Sequence, residues 1–90
     1  MKIYYVHKYL ATITEFILVK KTTTTVTVKS DEASMITHTE KLETKFEKWF
    51  DTFDEAKQYL ILFYNEEISF HLNVIKSNVG KLESIINLKQ

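Results

Sequence analysis

The chain has no cysteine, no proline and no arginine, and its single glycine is Gly80. A chain without cysteine has no disulfides, thiol nucleophiles or thiolate metal sites. Active sites built on loops usually need more glycine than this. Arginine is the preferred side chain for bidentate contacts to phosphate and guanine, so its absence counts against a protein that reads bases. We therefore expect no enzyme, and we assign no catalytic, cofactor-binding or metal-binding residues.

Long hydrophobic runs are also missing. The longest uninterrupted apolar or aromatic run is Tyr59 to Tyr64, whereas a membrane span needs about 20 residues. The N-terminal residues, Met1 to Lys8, lack the apolar core of a signal peptide. These features predict a cytoplasmic protein with no membrane partner. Its 90 residues predict one domain over residues 1–90, small enough that self-association would add needed stability.

Charge is unevenly distributed although the net charge is zero. Residues 1–30 hold five lysines against Glu15, and residues 31–55 hold eight acidic side chains against three lysines. An acidic segment attracts basic protein partners. The acidic side chains are therefore a candidate site for a protein partner: Asp31, Glu32, Glu40, Glu43 and Glu47. The alternative is that the basic and acidic segments face each other, within the fold or across a dimer.

Residues 2–50 predict a β-meander of three to four antiparallel strands. Stretches rich in β-branched and aromatic residues run from Ile3 to Tyr9, Thr12 to Lys20 and Thr23 to Lys29. Two shorter segments, Ser34 to Thr39 and Phe46 to Phe50, predict a short strand and an edge strand.

Residues 53–88 predict one long helix. Thr52 and Glu55 form a Thr-x-x-Glu capping box at its start. About 35 residues at 1.5 Å each give a rod of roughly 50 Å, whereas strands of five to eight residues span about 17–27 Å. Half of the helix should therefore extend beyond the sheet. The alternative is a break at Ser77 to Gly80 that folds a short last helix back on the core.

This helix carries two apolar faces about 90° apart. The proximal apolar face, predicted to cover the sheet, contains Phe53, Ala56, Leu60 and Phe63. Its predicted contacts on the sheet are Ile13, Ile17, Val26 and Phe46. The second face starts at Ile61 and Tyr64 and continues as the distal apolar seam: Ile68, Leu72, Ile75, Val79, Leu82 and Ile86. Alternating spacings of four and three residues are typical of coiled coils. The prediction is an α+β fold whose helix packs on the sheet and extends into an oligomer interface, a homodimer or higher.

The junction between sheet and helix, Phe46 to Ala56, reads FEKWFDTFDEA. This motif resembles one found in small, functionally uncharacterised phage and prophage proteins, in which a β-meander leads into a capped long helix. The resemblance implies a phage-encoded accessory protein in the host cytoplasm, such as an inhibitor of a host defence factor. Such helices tend to be highly charged, whereas this one keeps Phe70, Leu72, Val74 and Ile75, which favours a surface for a partner.

The function predicted from these features is non-catalytic, oligomeric protein binding, with a second copy and another protein as partners. The alternative is a small protein that binds single-stranded nucleic acid, because aromatic side chains stack on bases and lysines hold the backbone. The side chains that would do so are Tyr4, Tyr5, Tyr9, Phe16, Trp49 and Phe50, with Lys2, Lys8 and Lys20. Zero net charge counts against this alternative.

Overall fold

The computed structural model describes residues 1–88 as a five-stranded antiparallel sheet followed by one long helix. The strands are β1 (Lys2–His7), β2 (Thr12–Lys21), β3 (Thr25–Lys29), β4 (His38–Lys41) and β5 (Glu47–Phe50), and the helix is α1 (Phe53–Ile86). The predicted α+β class, with an antiparallel sheet and one C-terminal helix, is confirmed. The sheet has five strands, one more than the largest predicted number, because both short segments pair with the meander.

The strand order is β4-β3-β2-β1-β5, so the first strand lies between the second and the last. The sheet curls until β5 meets the chain that follows β4. There the Trp49 N–H donates to the Leu42 carbonyl at 3.0 Å, and the Thr44 N–H donates to the Glu47 carbonyl at 2.8 Å. The β5 strand is thus paired on both sides, with β1 on one and residues 42–44 on the other.

The main core lies on the concave side of this curled sheet. Its buried side chains are Ile3, Val26, Val28 and Trp49, with Tyr5, Phe16, Leu18 and Leu42 packed against them. Successive residues of a strand point to opposite faces. Tyr4 contacts the helix, so its neighbour Ile3 faces away from the helix. Val26 packs with Ile3 and therefore faces away as well. The predicted contact between the helix and Val26 is therefore wrong.

The fourth strand starts four residues later than predicted, at His38–Lys41 instead of around Ser34 to Thr39. Its four side chains are all exposed, so no alternation of apolar and polar residues marks it in the sequence. Backbone pairing with β3 defines it, with Thr25 opposite Lys41 and Val28 opposite His38.

The helix begins where the capping box predicts. The Glu55 N–H donates to the Thr52 hydroxyl at 3.2 Å, and that hydroxyl donates to the Glu55 carboxylate at 2.9 Å. The first turns then cover the convex face of the sheet at its β1–β5 side. Phe53 packs edge-on against Tyr4, with 5.9 Å between ring centroids, and Tyr59 packs on Phe50 at 5.1 Å.

Candidate functional site

Tyr64 is the point at which the helix leaves the sheet. Its hydroxyl donates to the Lys8 carbonyl at 2.6 Å, and one residue earlier the Phe63 ring packs on Tyr9 with 5.7 Å between centroids. Ala56 is the only buried residue between Phe53 and Ile86. The 22 residues from 65 to 86 extend about 33 Å past this point, so the predicted overhang of the helix is confirmed.

The distal apolar seam lies wholly on this projecting segment. Its six members (Ile68, Leu72, Ile75, Val79, Leu82 and Ile86) are between 47% and 71% exposed. Their spacing alternates between four and three residues, so they occupy positions a and d of a heptad repeat. The structure therefore presents the predicted interface residues along one line, free of their own domain.

The helix is continuous through Gly80, so the alternative with a break at Ser77 to Gly80 is not adopted. A side chain placed at Gly80 would meet no atom within 4 Å. Glycine therefore has no packing role here in the single chain, and its effect is the loss of helix propensity alone.

A second apolar surface, which the sequence did not single out, surrounds the β1–β2 turn. Tyr9, Leu10 and Phe46, named here the turn patch, are 58%, 67% and 41% exposed. The Tyr9 ring packs on Phe46 at 5.3 Å and also on Phe63, so the patch lies where the helix leaves the sheet. Sequence reasoning missed it because the predicted first strand includes Tyr9, whereas β1 ends at His7.

The acidic candidates do not form one surface. Asp31 and Glu32 lie in the β3–β4 loop, whereas Glu43 follows β4 and pairs with Lys48 at 3.0 Å. Another ion pair, Lys21 with Asp51 at 2.9 Å, joins the basic and acidic segments of the chain. The alternative interpretation, in which these two segments face each other within the fold, predicts such a pair.

Glu40 and Glu47 lie near Tyr5, at a small opening in the curled sheet. The Tyr5 hydroxyl donates to the Glu47 carboxylate at 2.6 Å. Partial burial, the hydrogen bond to Glu47 and the nearby Glu40 charge raise the pKa of Tyr5 to about 12.

The opening is a cavity of about 200 Å³, lined by Tyr5, Phe16, His38, Glu40 and Trp49. Trp49 is only 6% exposed, and its indole N–H has no hydrogen-bond partner within residues 1–88. Tyr5, which lines this cavity, has a raised pKa and is therefore poorly suited to general acid chemistry near neutral pH.

The aromatic side chains proposed for base stacking are divided between two faces. Tyr5, Phe16 and Trp49 pack together on the concave side, with ring centroids 5.0–6.4 Å apart. Tyr4 and Phe50 pack against the helix on the convex side. Single-stranded nucleic acid needs successive exposed rings along one groove, an arrangement that these five side chains do not provide.

Comparison of the chain with protein-family models, curated proteins and solved structures gives no match in any of the three. Within residues 1–88, no helix is both long enough and apolar enough to cross a bilayer.

Proposed function

We propose that this chain is a non-catalytic protein-binding module that assembles with a second copy of itself through the distal apolar seam. The observation that supports this proposal is the exposure of six large aliphatic side chains on a helix segment that extends beyond its own sheet. Monomeric soluble proteins rarely leave so continuous an apolar surface in water.

A second copy of this helix fits the seam better than an unrelated surface does. Side chains at a and d positions of one helix pack into spaces between side chains of a facing helix with the same repeat. Fully burying a Leu, Ile or Val contributes about 1.5–3 kcal/mol, so covering the exposed half of each would contribute about 1 kcal/mol. Six such residues from each copy contribute about 12 kcal/mol, which is comparable to an association cost of about 4–15 kcal/mol.

The test is a pair of charge substitutions at the centre of the seam, Leu72→Glu with Val79→Glu. Burying two uncompensated carboxylates per copy is costly, so we expect light scattering behind a sizing column to report a folded monomer of 10.7 kDa. The matched control is Ser77→Glu with Ser84→Glu, which adds the same charge on the opposite side of the helix and should leave the dimer intact. If the Leu72/Val79 variant keeps the wild-type mass, the seam is not the interface.

The resemblance of Phe46 to Ala56 to phage proteins adds a second part to the proposal. In this part the assembled module is an accessory protein that binds a protein of the host. Only the motif supports it, and the sheet and its acidic side chains are the surfaces that self-assembly through the seam would leave open.

A further inference from the structure

We propose that the two copies pair with antiparallel helices centred on residue 77, so that the C-terminal end of each helix covers the turn patch of the other. This inference rests on the proposed self-assembly and specifies its geometry. Three observations support it: the symmetry of the seam, the side of the helix on which Ile85 lies, and the position of the turn patch.

The seam is symmetric about residue 77. Its members lie two, five and nine residues on either side of that point, so reversing one helix superimposes the seam on itself. Residue n of one helix then faces residue 154 − n of the other. The six layers pair each a position with a d position: Ile68 with Ile86, Leu72 with Leu82 and Ile75 with Val79, each pair occurring twice.

Near the C-terminal end of the helix, Ile85 and Leu88 lie outside the seam and are 62% and 76% exposed. At 100° per residue, Ile85 lies about 100° from the centre of the seam, on the same side as the sheet-contacting Phe63. The two-fold axis of an antiparallel pair is perpendicular to both helices. The sheets of the two copies therefore lie on the same side of the pair. Ile85 of one copy therefore lies on the side of the pair that carries the other copy's sheet.

The positions of Ile85 and Leu88 along the helix also match that of the turn patch on the other copy. With residue 77 at the centre, Ile85 faces residue 69 of the other copy, and Leu88, two residues past the helix end, lies further along toward residue 66. The turn patch contacts the helix at Phe63, about one helical turn further on. Two exposed apolar clusters thus meet in this arrangement. In a parallel pair, Leu88 would lie 25 residues from Phe63, about 37 Å away, and both clusters would stay in water.

Single cysteines distinguish the two orientations, because the natural chain has none. Ile68→Cys and Ile86→Cys are prepared separately, then treated with a short bis-maleimide alone and after being unfolded and refolded together. We expect no cross-linked dimer from either variant alone, since two copies of residue 86 would lie about 27 Å apart. We expect a cross-linked dimer from the mixture.

Cross-linking of Ile86→Cys with itself would show a parallel pair and overturn the antiparallel inference while leaving self-assembly in place. A dimeric mass with no cross-link in any sample would overturn it as well, because the register would differ. A monomeric mass for the uncross-linked wild type would overturn the proposed function itself.

A second measurement examines the turn patch. Leu10→Ser removes an exposed apolar side chain that lies far from the seam in sequence and outside it in space. We expect the dissociation constant of the dimer to rise about tenfold, measured by sedimentation over a dilution series. Met35→Ser is the control, since Met35 is 94% exposed in the β3–β4 loop and should leave the dissociation constant unchanged. Equal dissociation constants for Leu10→Ser and the wild type would contradict contact with the turn patch.

Discussion

Single side chains on the concave face show how the curled sheet changes their chemistry. Tyr5 would be an ordinary strand tyrosine, but β5 brings Glu47 within 2.6 Å of its hydroxyl. Burial disfavours the charged tyrosinate, and the neutral hydroxyl donates a hydrogen bond to a carboxylate that would repel the tyrosinate. The folded state therefore holds the Tyr5 proton to higher pH than the unfolded chain does.

This shift predicts an alkaline loss of stability. The pKa of Tyr5 is raised from 10.0 to about 12, so its contribution is complete below pH 10 and falls as pH rises from 10 to 12. Tyr5→Phe lacks this contribution. We expect the free-energy advantage of the wild type over Tyr5→Phe to shrink by about 1 kcal/mol between pH 8 and pH 11, measured by urea unfolding. Two stability curves that stay parallel across that range would contradict the raised pKa.

The secondary-structure elements differ in how far the sequence determines them. The start of α1 could be predicted because Thr52 and Glu55 lie three residues apart and act locally. The distal apolar seam could be predicted because helical periodicity depends only on spacing. The position of β4 could not, since His38–Lys41 carries no apolar alternation and is a strand only through its pairing with β3.

The candidate sites follow the same division. The six seam residues share one helix, so their common face is a property of the local sequence. The turn patch joins residues 9 and 10 with residue 46, and the opening at Tyr5 joins four strands. Sites of this second kind depend on the order and curl of the strands, which composition and periodicity do not specify.

The helix offers its own test at Gly80. Glycine in a helix interior costs about 1 kcal/mol relative to alanine, and nothing lies within 4 Å of an added side chain. We expect Gly80→Ala to raise the free energy of unfolding by about 1 kcal/mol, with slightly greater helicity by circular dichroism and an unchanged mass and elution volume. A loss of stability, or a change in elution volume, would show that the helix bends or is closely packed at this point.

At the scale of the whole molecule, the shape is the central observation. The principal extents are 75 × 20 × 20 Å and the radius of gyration is 20.7 Å, whereas a compact chain of this length has a radius of about 12 Å. The difference comes from the projecting half of α1. Most of the stability of a helix in a protein comes from packing of its apolar face, and residues 65–86 project past the sheet. The shape therefore supports the proposed self-assembly along the distal apolar seam.

The most direct test of self-assembly is the absolute mass of the wild-type protein by light scattering, measured over a wide dilution series. Pairing through the seam predicts twice the chain mass of 10.7 kDa, about 21 kDa, maintained on dilution into the low micromolar range and lost in the Leu72→Glu, Val79→Glu variant. A wild-type mass of 10.7 kDa at every concentration would contradict self-assembly through the seam.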